Sequence, residues 1–280
     1  GDVQGQRDLL ERALCINEQE YGPDHRAVAN TLLNLGNVYG CLGDPQRKRE
    51  LLLRALRIKQ REYGEEHVEV AKALVSLGNS HGELGDVQKQ RELLERALRI
   101  QERHYGPEHR ELLSSLTGLS TVYDRLGDIA KKRDLLEQSL QIMERGFGAQ
   151  HYNVGIILAA LAQACGEMGD FAQKRELLLR ALAIMERKFG PENQTVAVYL
   201  LEIAQTYDAL GDEQARDSFI ERANKIKERD SNQKAEETRG GTGAEAAEEP
   251  TAAAGRAPGP WRLSGLARAL AAKCRCRLRS

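Results

Sequence analysis

The 280-residue chain has few aromatic residues, no surplus of either charge and no long apolar run. Aromatic side chains make up 5% of it, too few to line a deep ligand pocket. Lysine and arginine number 41 against 42 aspartates and glutamates, a net charge of −1. A dedicated nucleic-acid binder carries a basic excess, so this balance argues against that class. No apolar stretch reaches the ~18 residues of a membrane span. The opening GDVQGQRDLLERAL lacks the basic–apolar–small layout of a secretory leader. Five cysteines, Cys15, Cys41, Cys165, Cys274 and Cys276, are an odd number, and three sit singly within helical patterns. A disulfide framework is therefore not expected, and a reducing, cytoplasmic setting is. The sequence also has no H-E-x-x-H, G-x-x-x-x-G-K-[ST], G-x-S-x-G or C-x-x-C motif. The expectation is a protein that is not an enzyme and holds no cofactor or metal.

What the sequence does have is a period. Gly-Asp recurs at Gly1-Asp2, Gly43-Asp44, Gly85-Asp86, Gly127-Asp128, Gly169-Asp170 and Gly211-Asp212, a spacing of 42 residues with no insertion or deletion. Leu9-Leu10 returns as Leu51-Leu52, Leu93-Leu94, Leu135-Leu136 and Leu177-Leu178 on the same beat. Tyr21-Gly22 returns as Tyr63-Gly64, Tyr105-Gly106, Phe147-Gly148 and Phe189-Gly190. Self-similarity at such a period marks a repeat array.

Each unit reads as two helices. In the first, Val28, Leu32, Leu35 and Tyr39 fall on one helical face. Gly43 suits the left-handed residue that ends a helix, Asp44 caps the next one, and Pro45 takes its first position. The second helix carries Leu51, Leu52, Ala55, Leu56 and Ile58 and stops at Gly64. One such pair cannot bury its apolar face alone, so pairs must stack on neighbours. Strand signals are absent.

The run Leu32, Leu35-Gly36, Tyr39, followed by Gly43, Leu52 and Ala55, resembles the tetratricopeptide repeat. The 42-residue form ending in R-A-L-x-I-x-E-x-x-Y-G-P-x-H is similar to the longer repeats of kinesin light chain and nephrocystin-3 type proteins. The resemblance implies an all-α superhelical solenoid of antiparallel helix pairs over residues 1–229. An orphan helix at 3–21 precedes five pairs near 26–63, 68–105, 110–147, 152–189 and 194–229. The chain thus opens in the middle of a repeat and reads as a fragment or processed chain. Lys48, Gln90, Lys132 and Lys174 stand where the family has a small alanine, so their stems must snorkel and the helices are expected to splay slightly. His81 and Cys165 replace the family tyrosine.

Such arrays imply a non-catalytic interaction scaffold or adaptor that takes a peptide or partner helix in a concave groove lined by the first helices. One polar position recurs there as Asn37, Asn79, Thr121, Gln163 and Gln205, with Asn30, Asn34, Lys72, Asp124 and Arg125 on the same side. An amide donates and accepts at once, so an amide ladder can hold an extended backbone. The alternative is a solvated helix face. His25, His67, His109 and His151 recur at 42-residue spacing, too far apart in stacked repeats to share an ion through ~2.1 Å bonds. They read as turn or helix-start residues. A basic ridge opens each second helix, including Arg47-Lys48-Arg49 and Lys131-Lys132-Arg133. It is read either as paired with neighbouring acids or as a surface for an acidic partner.

Beyond residue 229 the character changes. Residues 230–260 are rich in Gly, Ala, Glu and Pro and read as a disordered linker. Residues 261–280 form a basic amphipathic tail with the single tryptophan, six basic residues and no acid. Trp261, Leu266 and Leu270 supply its apolar anchors, and Arg268 and Arg275 its cationic side. A segment of this kind suits an anionic membrane surface, so a peripheral membrane adaptor is a rival reading, with the tail as the only membrane contact. A nonfunctional tail is the plainer reading. A sensor array within a larger signalling protein is a further rival for the function of the whole chain.

Overall fold

Asp44 shows how each hairpin turns. Its side chain accepts from the Arg47 backbone N–H at 2.9 Å, Pro45 follows at the first helical position, and Gly43 holds φ +82°. The same Gly-Asp hinge recurs at each repeat. A computed structural model of the chain describes residues 2–240, with side chains through Ser231. Among the described residues there are eleven α-helices, one 3-10 turn and no strand.

The helices are α1 (Val3–Tyr21), α2 (Arg26–Cys41), α3 (Pro45–Tyr63), α4 (Val68–Glu83), α5 (Val87–Tyr105), α6 (Leu113–Leu126), α7 (Ile129–Phe147), α8 (Tyr152–Glu167), α9 (Phe171–Phe189), α10 (Gln194–Ala209) and α11 (Glu213–Gly240). The 3-10 turn, Arg110–Leu112, leads into α6. The last helix runs into what the sequence suggests is linker. Residues 232–240 offer Lys, Ala and Glu and no stop signal before Gly240, so helix propensity carries the helix on. The remaining linker residues and the tail, 261–280, lie outside the described residues.

The chain divides into two compact units, Gly1–Ile142 and Met143–Ser280. In unit 1, α2 packs antiparallel on α3 and α4 on α5. Close approach is set by Gly36 and Gly78, where an added Cβ would meet the Leu52 and Leu94 side chains at 3.2 and 3.1 Å. Leu52, Leu74, Leu94, Ala97, Ile100 and Leu119 belong to one continuous core, and Val28, Leu32, Leu35, Ala55 and Ile58 to another that Leu10 and Leu14 of α1 join. In unit 2, α8 packs on α9 and α10 on α11. Ten of the sixteen residues of α8 are buried, and it is apolar nearly all round, as a helix enclosed on several sides must be.

The stems of Lys48 and Lys174 run across Gly40 and Gly166 of the facing helix, where a Cβ would lie 2.9 and 2.8 Å from the lysine Cδ. The space for the long side chain thus comes from a missing one opposite. Lys48 ends in an ion pair with Glu83 of the next repeat at 2.9 Å. Where the facing residue is aspartate, the pair closes within the hairpin: Lys132 to Asp124 at 2.6 Å and Arg216 to Asp208 at 2.8 Å.

A candidate interaction surface on the inner helices

The first helices α2, α4, α8 and α10 start at a repeated cap, and so does the 3-10 turn that leads into α6. His25, His67, His109 and His151 each accept through Nδ1 from the backbone N–H two residues on, at 3.2–3.3 Å, and Asn193 does the same through Oδ1 at 2.8 Å. This fixes the tautomer with the proton on Nε2. The ring also stacks on the aromatic that ends the previous helix, as in Tyr63–His67, with centroids 4.9 Å apart and planes at 16°. The recurrence of histidine is thus explained by helix starts.

The second helices carry most of the charge, and it is largely paired within the chain. In unit 1, Arg54 bridges to Glu18 at 2.6 Å and donates to the Pro23 carbonyl, Arg96 pairs with Glu65, and Arg103 with Glu66. In unit 2, Arg180 pairs with Glu144 and Arg222 with Glu186. These rungs tie each outer helix to the next, or to the loop that follows it. Much of the basic ridge is likewise engaged: Arg47 with Glu50, Lys89 with Glu92 and Lys131 with Asp128.

On the inner helices the candidate residues divide. Asn30, Asn34 and Asn37 are exposed on α2. Asn30 accepts from Lys59 Nζ at 2.9 Å, whereas Asn34 and Asn37 have no side-chain hydrogen bond. Lys72 on α4 donates to Glu69 at 2.7 Å. Asn79 is half-buried, its Oδ1 3.5 Å from where a Cβ on Gly118 would sit. Thr121 bonds back to the Thr117 carbonyl, Asp124 holds Lys132, and Arg125 turns to the Gly82 carbonyl and Gln90. In unit 2, Gln163 donates to Glu167, and Gln205 is exposed and unbonded. The tail residues Trp261, Leu266, Arg268, Leu270 and Arg275 lie outside the described residues.

Between repeats of unit 1 runs a polar layer not legible as such in the sequence. Asn17 donates to Thr31 at 2.9 Å, and Ser115 to Gln101 at 2.6 Å. Lys59, 2% exposed, donates to Glu69 at 2.7 Å and to Asn30. Burial works to raise the Glu69 carboxyl, but the hydrogen bonds from Lys59 and Lys72 outweigh it and bring it down to about 2. The signal was present in the register: the position held by Met143 and Met185 is Asn17, Lys59 and Gln101 in the earlier repeats. Inner tyrosines add further links. Tyr39 donates to Glu11 at 2.6 Å and Tyr123 to Glu95 at 2.9 Å. The Glu11 bond, with burial behind it, holds the Tyr39 phenol above its ordinary range; for Tyr123 burial leads and the Glu95 bond adds. His81, in the same place, sets Nδ1 3.3 Å from Asp86, and buried Cys165 points Sγ to Gln173 at 3.2 Å.

Tetratricopeptide repeat sequences match residues 28–69, 112–153 and 156–195 in one form of the family and 69–131 in another. The chain belongs to the tetratricopeptide repeat family. Its fold is that of the tetratricopeptide solenoid. The chain is similar to the nearly identical TPR-like repeats of a Podosopora anserina protein described as a kinesin light chain, with 26% identity and a TM-score of 0.65, over 72% of this chain and 96% of that one. It shares its fold with BtubC (BKLC) from P. vanneervenii, at 16% identity and a TM-score of 0.69, over 92% and 100% of the two chains. Apo RapI shares it at 12% identity and 0.60, over 83% and 94%. No curated protein matches the chain in sequence. Tetratricopeptide repeats generally mediate protein–protein interaction and are typically non-enzymatic scaffolds. No helix among the described residues is long and apolar enough to cross a membrane.

Proposed function

We propose that the chain is a non-catalytic adaptor that captures an extended peptide or partner helix on its inner helices, with α2 and α4 of unit 1 as the principal contact. The observation that carries this reading is the contrast in hydrogen bonding. Outer-helix cations are largely engaged by acids of the same chain, whereas Asn34 and Asn37 stand exposed with no side-chain partner. An unbonded exposed amide offers both a donor and an acceptor to an incoming backbone. Asn30 and Lys72 flank them, held in place by Lys59 and Glu69.

The full chain as bait supplies the ligand, and titration calorimetry the affinity. Changing Asn34 and Asn37 together to alanine should weaken binding about tenfold or more, from two hydrogen bonds of roughly 0.5–1.5 kcal/mol each, with helicity unchanged. Equal affinity in the double variant would remove the site from α2.

A further inference from the structure

The inner helices change character between the two units. Asn30, Lys72 and Ser114 hold one repeat position in α2, α4 and α6; the same position is Ile156 in α8 and Val198 in α10. The cores of those hairpins are made by other residues. Val154 and Leu158 flank Ile156 two positions away, Val196 and Leu200 flank Val198, and all four are fully buried. Two positions are about 200° round a helix. Ile156 and Val198 therefore sit on the side away from those residues, and both are half-buried. Helices α8 and α10 both pack on α9, so the two side chains belong to one inner surface of unit 2. That surface is acidic. The two helices contain Glu167, Glu202 and Asp208 and no lysine or arginine. Asp208 is held by Arg216, but Glu202, one turn beyond Val198, meets Lys174 only at 3.9 Å. An apolar pair beside a loosely answered carboxylate fits an amphipathic cationic segment. In unit 1 the same position is polar, and Lys72 there would repel one.

The chain carries such a segment, and carries it within reach. Leu263, Leu266, Leu270 and Cys274 follow helical spacing in a stretch with six basic residues and no acid. Arg229 pairs with Glu192, and Gln194 donates to Asp230, so α11 passes the start of α10, one turn before Val198. From there α11 continues to Gly240, about 15 Å further at the helical rise. Residues 241–260, as a chain of their composition, span ~25 Å, enough to turn back to Val198. A tether of this length holds its far end at millimolar effective concentration, so a modest contact suffices. We propose that residues 263–274 dock on Ile156 and Val198 of the same molecule, with their cations toward Glu202. The tail is then an internal occupant of the inner surface of unit 2, displaced by any partner helix that binds there better. The site shares no residue with the α2 surface.

The test uses the full chain, in which Trp261 is the single tryptophan. Its emission should be blue-shifted, and equally so at every protein concentration, because both parties belong to one molecule. Two variants probe the two sides: Leu270→Glu in the segment, and Val198→Lys, which gives α10 the residue that α4 has at that position. Each should return the emission to its aqueous position, through a fall of at least about tenfold in the docked-to-free ratio. Circular dichroism verifies that both keep their helix, and Ile156→Asn, the residue type of α2 at that position, repeats the test from α8. Asn34→Ala/Asn37→Ala should leave the emission unchanged, so this docking and the capture of a partner on α2 stand or fall separately. Aqueous emission from the unaltered chain overturns the proposal, as does a shift that survives Val198→Lys or grows with concentration. A shift that appears only with phosphatidylserine vesicles overturns it too, and assigns the segment to a membrane surface.

Discussion

Lys59 is the residue least expected from its type. A lysine in a helix of alternating charge reads as solvated, and only its repeat position, shared with Met143 and Met185, marks it as interior. Its charge is buried and answered mainly by one carboxylate, Glu69. Breaking a buried pair from one side strands the other charge, whereas removing both members often costs little. Glu69→Ala should therefore destabilise unit 1 by ~3 kcal/mol, and Lys59→Met/Glu69→Ala should recover most of that loss in urea unfolding. The pH dependence follows from the depressed carboxyl. Glu69 sits at about 2 in the folded chain against an ordinary 4.5, so the native state binds fewer protons than the unfolded one between those values. Its contribution is fully present above the upper value and is lost as pH falls toward the lower. The stability gap between the native sequence and Glu69→Gln should close over that window; a gap constant down to pH 2 would contradict the assignment.

At the scale of the element, the boundaries were largely legible because each rests on a local chemical device. Gly43-Asp44-Pro45 stops one helix and starts another without help from the core, and α3 begins at Pro45 as its sequence indicates. The exceptions have equally local causes. The third pair opens with a 3-10 turn at Arg110–Leu112 before α6 proper, and α11 passes residue 229 because nothing there halts it. The histidine caps belong to this scale as well. Asn193 does at α10 what His67 does at α4, but without the aromatic stack. His67→Asn should keep the bond and lose only the stack, whereas His67→Ala loses both. The alanine variant should be less stable than the asparagine variant by about 1 kcal/mol, read from their thermal midpoints. Equal midpoints would mean that the Nδ1 bond contributes nothing. Of the candidate surface, the sequence could identify which residues leave the apolar stripe, and Asn34 and Asn37 do so. It could not foresee that Arg125 folds back onto Gly82 and Gln90, because that choice depends on a carbonyl 43 residues away.

At the scale of the whole molecule, the fixed period makes neighbouring interfaces nearly interchangeable. Leu52, Ala55 and Ile58 have exact counterparts in Leu94, Ala97 and Ile100. Deleting residues 43–84 should therefore let α2 close on α5. It removes Lys59 and Glu69 together, so no buried charge is stranded. Circular dichroism should show a loss of helix proportionate to the two helices removed and a transition that remains cooperative. Collapse of most of the helical signal would refute the stacked-array description of unit 1.

The polar layer of unit 1 gives this interchangeability a limit. The leucines tell a repeat that it has a neighbour, but Asn17–Thr31, Lys59–Glu69 and Gln101–Ser115 differ from one another. During synthesis many near-identical faces become available at once, and docking on the wrong one is the characteristic error of repeat chains. A wrong partner would satisfy the oil and leave a buried amide or ammonium without an answer. The three pairs thus act as an address written inside a uniform material, and they secure the order of assembly as well as its strength.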